Sequence, residues 1–254
     1  MNWSATQYST FEKERTRPVR DLVAALGQER IATAVDLGCG PGNSTEVLAS
    51  RYPDALISGL DSSDDMLVAA RKRLPGVHFD LADIGRWLPA EHYDVILANA
   101  SLQWVPDHDS LYPRLVSFLA PAGTLAVQTP DNLEEPAHRK AREIAAQGPW
   151  AMKTSAVRHP PRHSAEHYYA LLKGHCSQLD VWRTTYFHPL SGGARAVVEW
   201  FKGSALGPYL AVLDADEQAG FLAAYREAME VAYPALEDGT VLLPFPRLFL
   251  LATR

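Results

Sequence analysis

The stretch Val35-Asp36-Leu37-Gly38-Cys39-Gly40-Pro41-Gly42-Asn43-Ser44 decides how this chain is read. An apolar lead-in from Ile31 runs into a carboxylate, Asp36. The glycines Gly38, Gly40 and Gly42 follow almost at once, and then a polar group, Asn43-Ser44-Thr45-Glu46, with the composition of a helix start. A buried strand that ends in an acid and enters a turn stripped of side chains lets something approach its backbone closely.

Outward from that turn the first half of the chain alternates. Strands are expected at 31–37, 55–60, 77–81, 93–99 and 123–129, with helices at 43–51, 64–74 and 107–119. Ser63 stands where an N-cap belongs. Short apolar strands separated by helices imply an α/β fold with a doubly wound, mostly parallel sheet. Right-handed crossovers then gather the strand C-termini on one edge, where ligands bind. After residue 130 the rhythm breaks. Helices are expected at 134–147, 165–175, 194–202 and 214–232, a strand at 179–187, and a closing strand in LFLLAT after Pro246. The two late strands would complete a seven-stranded sheet, and the extra helices would form a lid. The expected organisation is a single domain, 1–254. Residues 1–30 would form an N-terminal segment, 31–130 would form the ligand-binding half, 131–245 would hold the lid insertions and a late strand, and 246–254 would be the final strand.

The chain has 254 residues, 47% of them hydrophobic and 21% charged, as in an ordinary soluble globular protein. Its net charge is −6 and it has no basic block, which argues against nucleic-acid binding but not against a small anionic substrate. No apolar run is long enough to span a membrane, and the opening residues lack the apolar core of a secretory signal, so the cytoplasm is expected. Two cysteines, Cys39 and Cys176, are too few for a disulfide framework. Cys39 has no evident partnered base nearby that would mark a nucleophile.

Three ligands could explain the glycine turn. A nucleoside-triphosphate loop needs Gly-Lys-Ser/Thr, and no lysine follows here. A dinucleotide loop needs a glycine where Asn43 stands, and Asp36 would repel the pyrophosphate. S-adenosylmethionine carries an ammonium, a sulfonium, a ribose diol and an adenine, and no phosphate, so an acid at the strand end suits it. On this reading Asp36, Gly38 and Gly40 lie beside the cofactor. Asp61, 23 residues past Gly38, accepts from the ribose hydroxyls with Ser62 beside it. Asp83 and Ile84 meet the adenine, and Asn99 ends the fourth strand on the same edge. Asp61 and Asp83 could instead serve as caps or loop-solvating groups, and Asp36 could have a purely structural role in ordering the glycine turn.

VDLGCGPG, GLDSS, LADI and ANASLQWV, placed along successive strands, resemble the class I S-adenosylmethionine-dependent methyltransferases. NWSATQYSTFEKERTRP, NASLQWVPDH, QTPDN, VWRTTYFH and FPRLFLLATR are similar to the branch of that family that methylates trans-aconitate. The resemblance implies S-adenosylmethionine as cofactor and transfer to one carboxylate of trans-aconitate, giving a monomethyl ester. It also implies an N-terminal segment over the cofactor, with Tyr8 and Trp3 in it. A carboxylate is ionised at pH 7, so no catalytic side chain is required. The three carboxylates of such an acid need arginine partners. Arg183 and Arg247 are the leading candidates, with Arg17 and Arg195 behind them. Gln103, Trp104 and Trp200 would wall the substrate site, with Phe11 a further candidate. The alternatives are another small acid or hydroxylated metabolite as acceptor, or a non-catalytic S-adenosylmethionine-binding protein. His159, His163 and His167 recur every four residues, but Pro160 and Pro161 interrupt any single helix carrying all three, and no metal is expected.

Overall fold

The computed structural model describes residues 12–158 and 162–254. It forms two compact units. The first comprises residues up to Pro130, Arg162–Thr184 and Arg247–Arg254, and the second Asp131–Pro161 and Thr185–Pro246. The expected lid region is therefore divided: 162–184 belongs with the cofactor-binding half.

The first unit begins with helix α1 (Glu12–Ala24) and then alternates. Strand β1 (Thr33–Leu37) leads to α2 (Asn43–Arg51), β2 (Leu56–Asp61) to α3 (Asp64–Arg73), and β3 (His78–Leu81) to β4 (Tyr93–Asn99). A 3-10 turn at Leu102–Trp104, helix α4 (His108–Ser117) and β5 (Leu119–Pro130) follow. Next come α5 (Pro136–Gln147) and the short α6 (Ala151–Thr154) of the second unit, and α7 (Ala165–Leu172) of the first. The chain ends with β6 (Gln178–Ser191), α8 (Gly193–Lys202), α9 (Gly207–Leu210), α10 (Ala215–Ala232) and β7 (Thr240–Thr253). The seven strands form one sheet in the order β3-β2-β1-β4-β5-β7-β6. The pairs β1–β2, β2–β3, β1–β4 and β4–β5 are parallel, and β5–β7 is antiparallel.

Several boundaries differ from expectation. The last strand starts at Thr240, ahead of Pro244 and Pro246, and β6 runs to Ser191. Prolines inside an apolar run suggested an end, but a strand tolerates them where no ladder donor is needed. Helix α6 falls between 147 and 165, where no helix is expected. Ser63 sits at the N-cap of α3, yet its side chain makes no capping bond. Its backbone N–H instead donates to Asp61 Oδ1 at 2.9 Å.

Side chains alternate along each strand, and the register assigns them to faces. Val35, Leu37, Ile96, Ala98, Leu125 and Val127 pack with Leu111, Leu115 and Val116 of α4 and Leu172 of α7. The opposite face carries Ala34, Asp36, Leu97 and Ala126, all fully buried. Helix α1 packs on β5 and on α2. Full burial of each large aliphatic contributes about 1.5–3 kcal/mol. The second unit has its own core, with Trp150, Phe201, Phe221, Tyr225 and Met229 between α5, α8 and α10. Its α10 opens with a capping box, Asp214 and Glu217.

Candidate cofactor and substrate site

The C-terminal ends of β1, β2 and β4 and the loop after β3 line a cleft of about 740 Å³, within the range of small-molecule sites. Its shape begins at the glycine turn. The N–H groups of Gly38 and Cys39 both donate to Leu60 O, at 2.8 and 2.9 Å, which folds the turn back over β2. Gly40 N–H donates to Asp61 Oδ2 at 2.9 Å. Asp61 thus holds the turn with one oxygen and the start of α3 with the other, and each oxygen keeps lone-pair capacity for a ligand.

Two glycines are required for different reasons. Gly38 has φ +70°, and a Cβ there would lie 2.4 Å from Ser101 Cβ. Ser101 is close because its hydroxyl donates to Leu37 O at 2.6 Å, tying the end of β4 to the end of β1. Gly40, φ +54°, would meet nothing within 4 Å, so its bare face is open to the cleft. Gly38 serves packing, and Gly40 serves ligand approach.

Asp36 is fully buried and does not line the cleft. Its Oδ2 accepts from the Ser44 and Thr45 hydroxyls, both at 2.7 Å, at the N-terminal end of α2, where the helix dipole favours an anion. Its Oδ1 has no partner among the described residues. Burial pushes the carboxyl up to about 6, against the pull of the two hydroxyls, and the Asp61 charge adds to the rise. Cys39 is buried, and burial first, then Asp36 and Asp61, raises its thiol pKa. It is a packing residue facing Gly59, and not a thiolate.

The remaining cofactor candidates converge here. Ser62, Asp83, Ile84 and Asn99 all line the cleft, as do Asp64 and Asp65. Asp83 Oδ1 accepts from Gly85 N–H at 2.8 Å, leaving its second oxygen for a ligand. Asn99 Oδ1 has no partner among the described residues. Met66, Ile84 and Val105 supply apolar wall. A site with this many carboxylates, and with an unpartnered buried acceptor at Asn99, suits a cationic, donor-rich nucleoside and disfavours a pyrophosphate. S-adenosylmethionine fits it.

The substrate candidates are less gathered. Trp104 is 48% exposed and lines the cleft, with the Arg162 guanidinium 5.9 Å from its ring. Gln103 is buried, and its Nε2 donates to Ala100 O at 2.6 Å. Arg247 is buried on β7. Arg183 is exposed on β6. Its neighbour Trp182 stacks on Phe249, centroids 5.0 Å apart, so alternation turns Arg183 to the face opposite Phe249 and Arg247. The two leading arginines are therefore not brought together. Trp200 belongs to the second unit, where it stacks on His188 at 4.9 Å. Arg195 is exposed in the same unit and Arg17 on α1. Tyr8, Trp3, Phe11 and His159 lie outside the described residues.

Sequence reasoning missed three features. Ala100 lines the cleft with φ +54°, an uncommon conformation for a residue with a Cβ. Its only sequence signal is its place right after a strand. His163 stacks on His167 at 4.1 Å and packs against the buried His108, whose Nδ1 meets the Tyr168 hydroxyl at 2.7 Å. These histidines form an aromatic cluster with Tyr168. No group of His, Cys, Asp or Glu among the described residues could hold a metal. The third is Gln128, a polar residue inside the apolar run GTLAVQT and 1% exposed.

Comparison with known proteins follows the same line. A family model described as a methyltransferase domain matches residues 29–175. A trans-aconitate 2-methyltransferase from Methylobacterium nodulans is 52% identical over 255 residues, spanning 100% of this chain and 98% of that protein. The chain belongs to the trans-aconitate 2-methyltransferase family. A second relative of that name, from Rhizobium leguminosarum bv. trifolii, is 51% identical over 256 residues and 100% of both chains. In fold the chain is similar to the YcgJ protein of Bacillus subtilis, with a TM-score of 0.58 at 13% identity over 95% of this chain and 98% of that one. Among the described residues no helix is long and apolar enough to cross a membrane.

Proposed function

We propose that this chain transfers the methyl group of S-adenosylmethionine to a carboxylate of trans-aconitate, giving a monomethyl ester. The observation that carries the reading is full-length similarity, at 52% identity, to proteins named for that reaction. A match confined to the glycine turn would support only the cofactor. The cleft adds support, because its acceptors complement the cofactor group by group.

The cofactor supplies an activated methyl group on a sulfonium centre. Asp61 accepts from the ribose hydroxyls with the lone pairs its two backbone contacts leave. Met66, Ile84 and Val105 hold the adenine between apolar surfaces, and the free oxygen of Asp83 accepts from its amino group. Gly40 lets the nucleoside reach the backbone. Asp36, beneath the turn, supplies a negative field that favours the cofactor's positive charges. The acid needs no general base, since its carboxylates are ionised at pH 7. What the protein contributes is position and water exclusion, worth roughly 7–11 kcal/mol in favourable cases. Trp104 at the cleft wall and Arg247 on β7 orient the acid.

The test is a methyl-transfer assay with isotope-labelled S-adenosylmethionine and, separately, trans-aconitate, cis-aconitate, citrate and isocitrate. Labelled monomethyl ester forming fastest with trans-aconitate is expected. Absence of label on every acid, with cofactor binding intact, overturns the reading of the acceptor.

A further inference from the structure

Four neighbouring strands present a graded row of polar groups on one face of the sheet. Parallel pairing places Asp36 of β1 beside Leu97 of β4, so Asn99, two residues on, shares that face. Asn99 pairs with Gln128 of β5, and Gln128 lies opposite Phe249 of β7, with Pro130 opposite Arg247. Asp36, Asn99, Gln128 and Arg247 therefore all point to the same side near the C-terminal ends of β1, β4 and β5.

The groups change character along the row. Over β1 and β4 the unpartnered buried atoms are acceptors, Asp36 Oδ1 and Asn99 Oδ1. Over β5 the unpartnered buried atom is a donor, Gln128 Nε2. Next along, over β7, stands the buried guanidinium of Arg247. Gln128 is 1% exposed, and its Nε2 has no partner among the described residues. A buried amide donor left unmade costs free energy, so a ligand, ion or water must complete it. An acceptor-rich end suits the cationic cofactor, and a donor-rich end suits an anion.

We propose that Gln128 binds the acceptor acid, its Nε2–H donating to a substrate carboxylate that does not react. This rests on the reading of the chain as a methyltransferase for a small polycarboxylic acid. Gln128 complements Arg247 in a way a second arginine could not. It adds a directional donor without adding charge to a buried site. An amide also discriminates by geometry: a carboxylate displaced from the row leaves Nε2 unpaired again.

The experiment uses the full chain with two variants. Gln128→Met keeps volume and removes the donor. Gln128→Glu keeps shape and repels a carboxylate. Four quantities are read: KM and kcat for trans-aconitate, the Kd of the acid for the S-adenosylhomocysteine complex by calorimetry, and the Kd of S-adenosylhomocysteine alone. For Gln128→Met the proposal expects the KM and Kd of the acid to rise about ten- to hundredfold, S-adenosylhomocysteine affinity to stay within about twofold and the thermal midpoint not to fall. Gln128→Glu should lose more. Unchanged acid binding in Gln128→Met overturns the proposal while wild-type turnover leaves the methyltransferase reading standing. Equal weakening of S-adenosylhomocysteine also overturns it, assigning the donor to the cofactor's own carboxylate. Wild-type protein that neither methylates nor binds any of these acids overturns both, whereas acid binding without turnover leaves the calorimetric arm to decide.

Discussion

Replacing Asp36 by asparagine should make the ligand-free protein more stable at neutral pH. The carboxyl is fully buried, and burial raises its pKa from the ordinary 3.8 to about 6. A folded-state pKa above the unfolded one means the native chain binds this proton more tightly. Stability from this group is therefore greatest below about pH 4, falls as pH rises towards about 6, and is constant above that. The ionised form costs about 3 kcal/mol for a shift of this size. Asparagine removes that cost. Its oxygen can take the place of Oδ2 and keep both the Ser44 and Thr45 bonds, but its amide N–H groups then stand where Oδ1 has no partner among the described residues, and a buried donor left unmade returns about 1 kcal/mol. The net expectation at pH 7.5 is a gain of about 2 kcal/mol. At pH 4 the gain should vanish or change sign, because both side chains are then neutral. Urea unfolding of wild type and Asp36→Asn, without cofactor, at the two pH values measures this directly. A variant less stable than wild type at pH 7.5, by the same amount at pH 4, would refute the argument that an ionised, desolvated carboxylate sits under the turn.

Other outcomes follow from the same geometry. Asp61→Ala should weaken S-adenosylhomocysteine binding by about 1–3 kcal/mol; unchanged affinity by calorimetry would mean the cleft has been misread. Gly38→Ala should prevent stable folding, because its Cβ would sit 2.4 Å from Ser101 Cβ. Gly40→Ala meets no atom within 4 Å and should fold with a modest loss while losing cofactor affinity; circular dichroism and calorimetry separate the two. Cys39→Ser should keep turnover while the fold loses about 1–3 kcal/mol from burying a hydroxyl in the thiol's place. Lost turnover at unchanged stability would contradict a mechanism without a nucleophile.

The cofactor half was legible because its signals are local. The strands around Val35, Ile57 and Ile96 are short apolar runs set between turns, and each acid or amide at a strand end falls on the cleft edge by topology alone. Asp61, Asp83, Ile84 and Asn99 all line that cleft. Asp36 was placed correctly in the chain, but only the structure showed that its carboxylate turns inward to Ser44 and Thr45 instead of into the cleft.

The acceptor half was not legible in the same way. A lone arginine in a strand does not reveal its face, and one residue of register separates Arg247, on the face of Gln128, from Arg183's position on the other side. Proline-marked ends at residues 244 and 246 hid the true length of β7. Gln128 looked like an ordinary polar residue in LAVQT until the antiparallel pairing of β7 set it between Asn99 and Arg247. By itself the sequence determined the alternation of strands and helices, the glycine turn and the cofactor it admits, since these depend on residues close together in the chain. Which polar groups share a face, which acids are desolvated, and where an anion could be held depended on pairing among strands more than a hundred residues apart. Only the tertiary structure decides those contacts, because burial and register are properties of the assembled sheet.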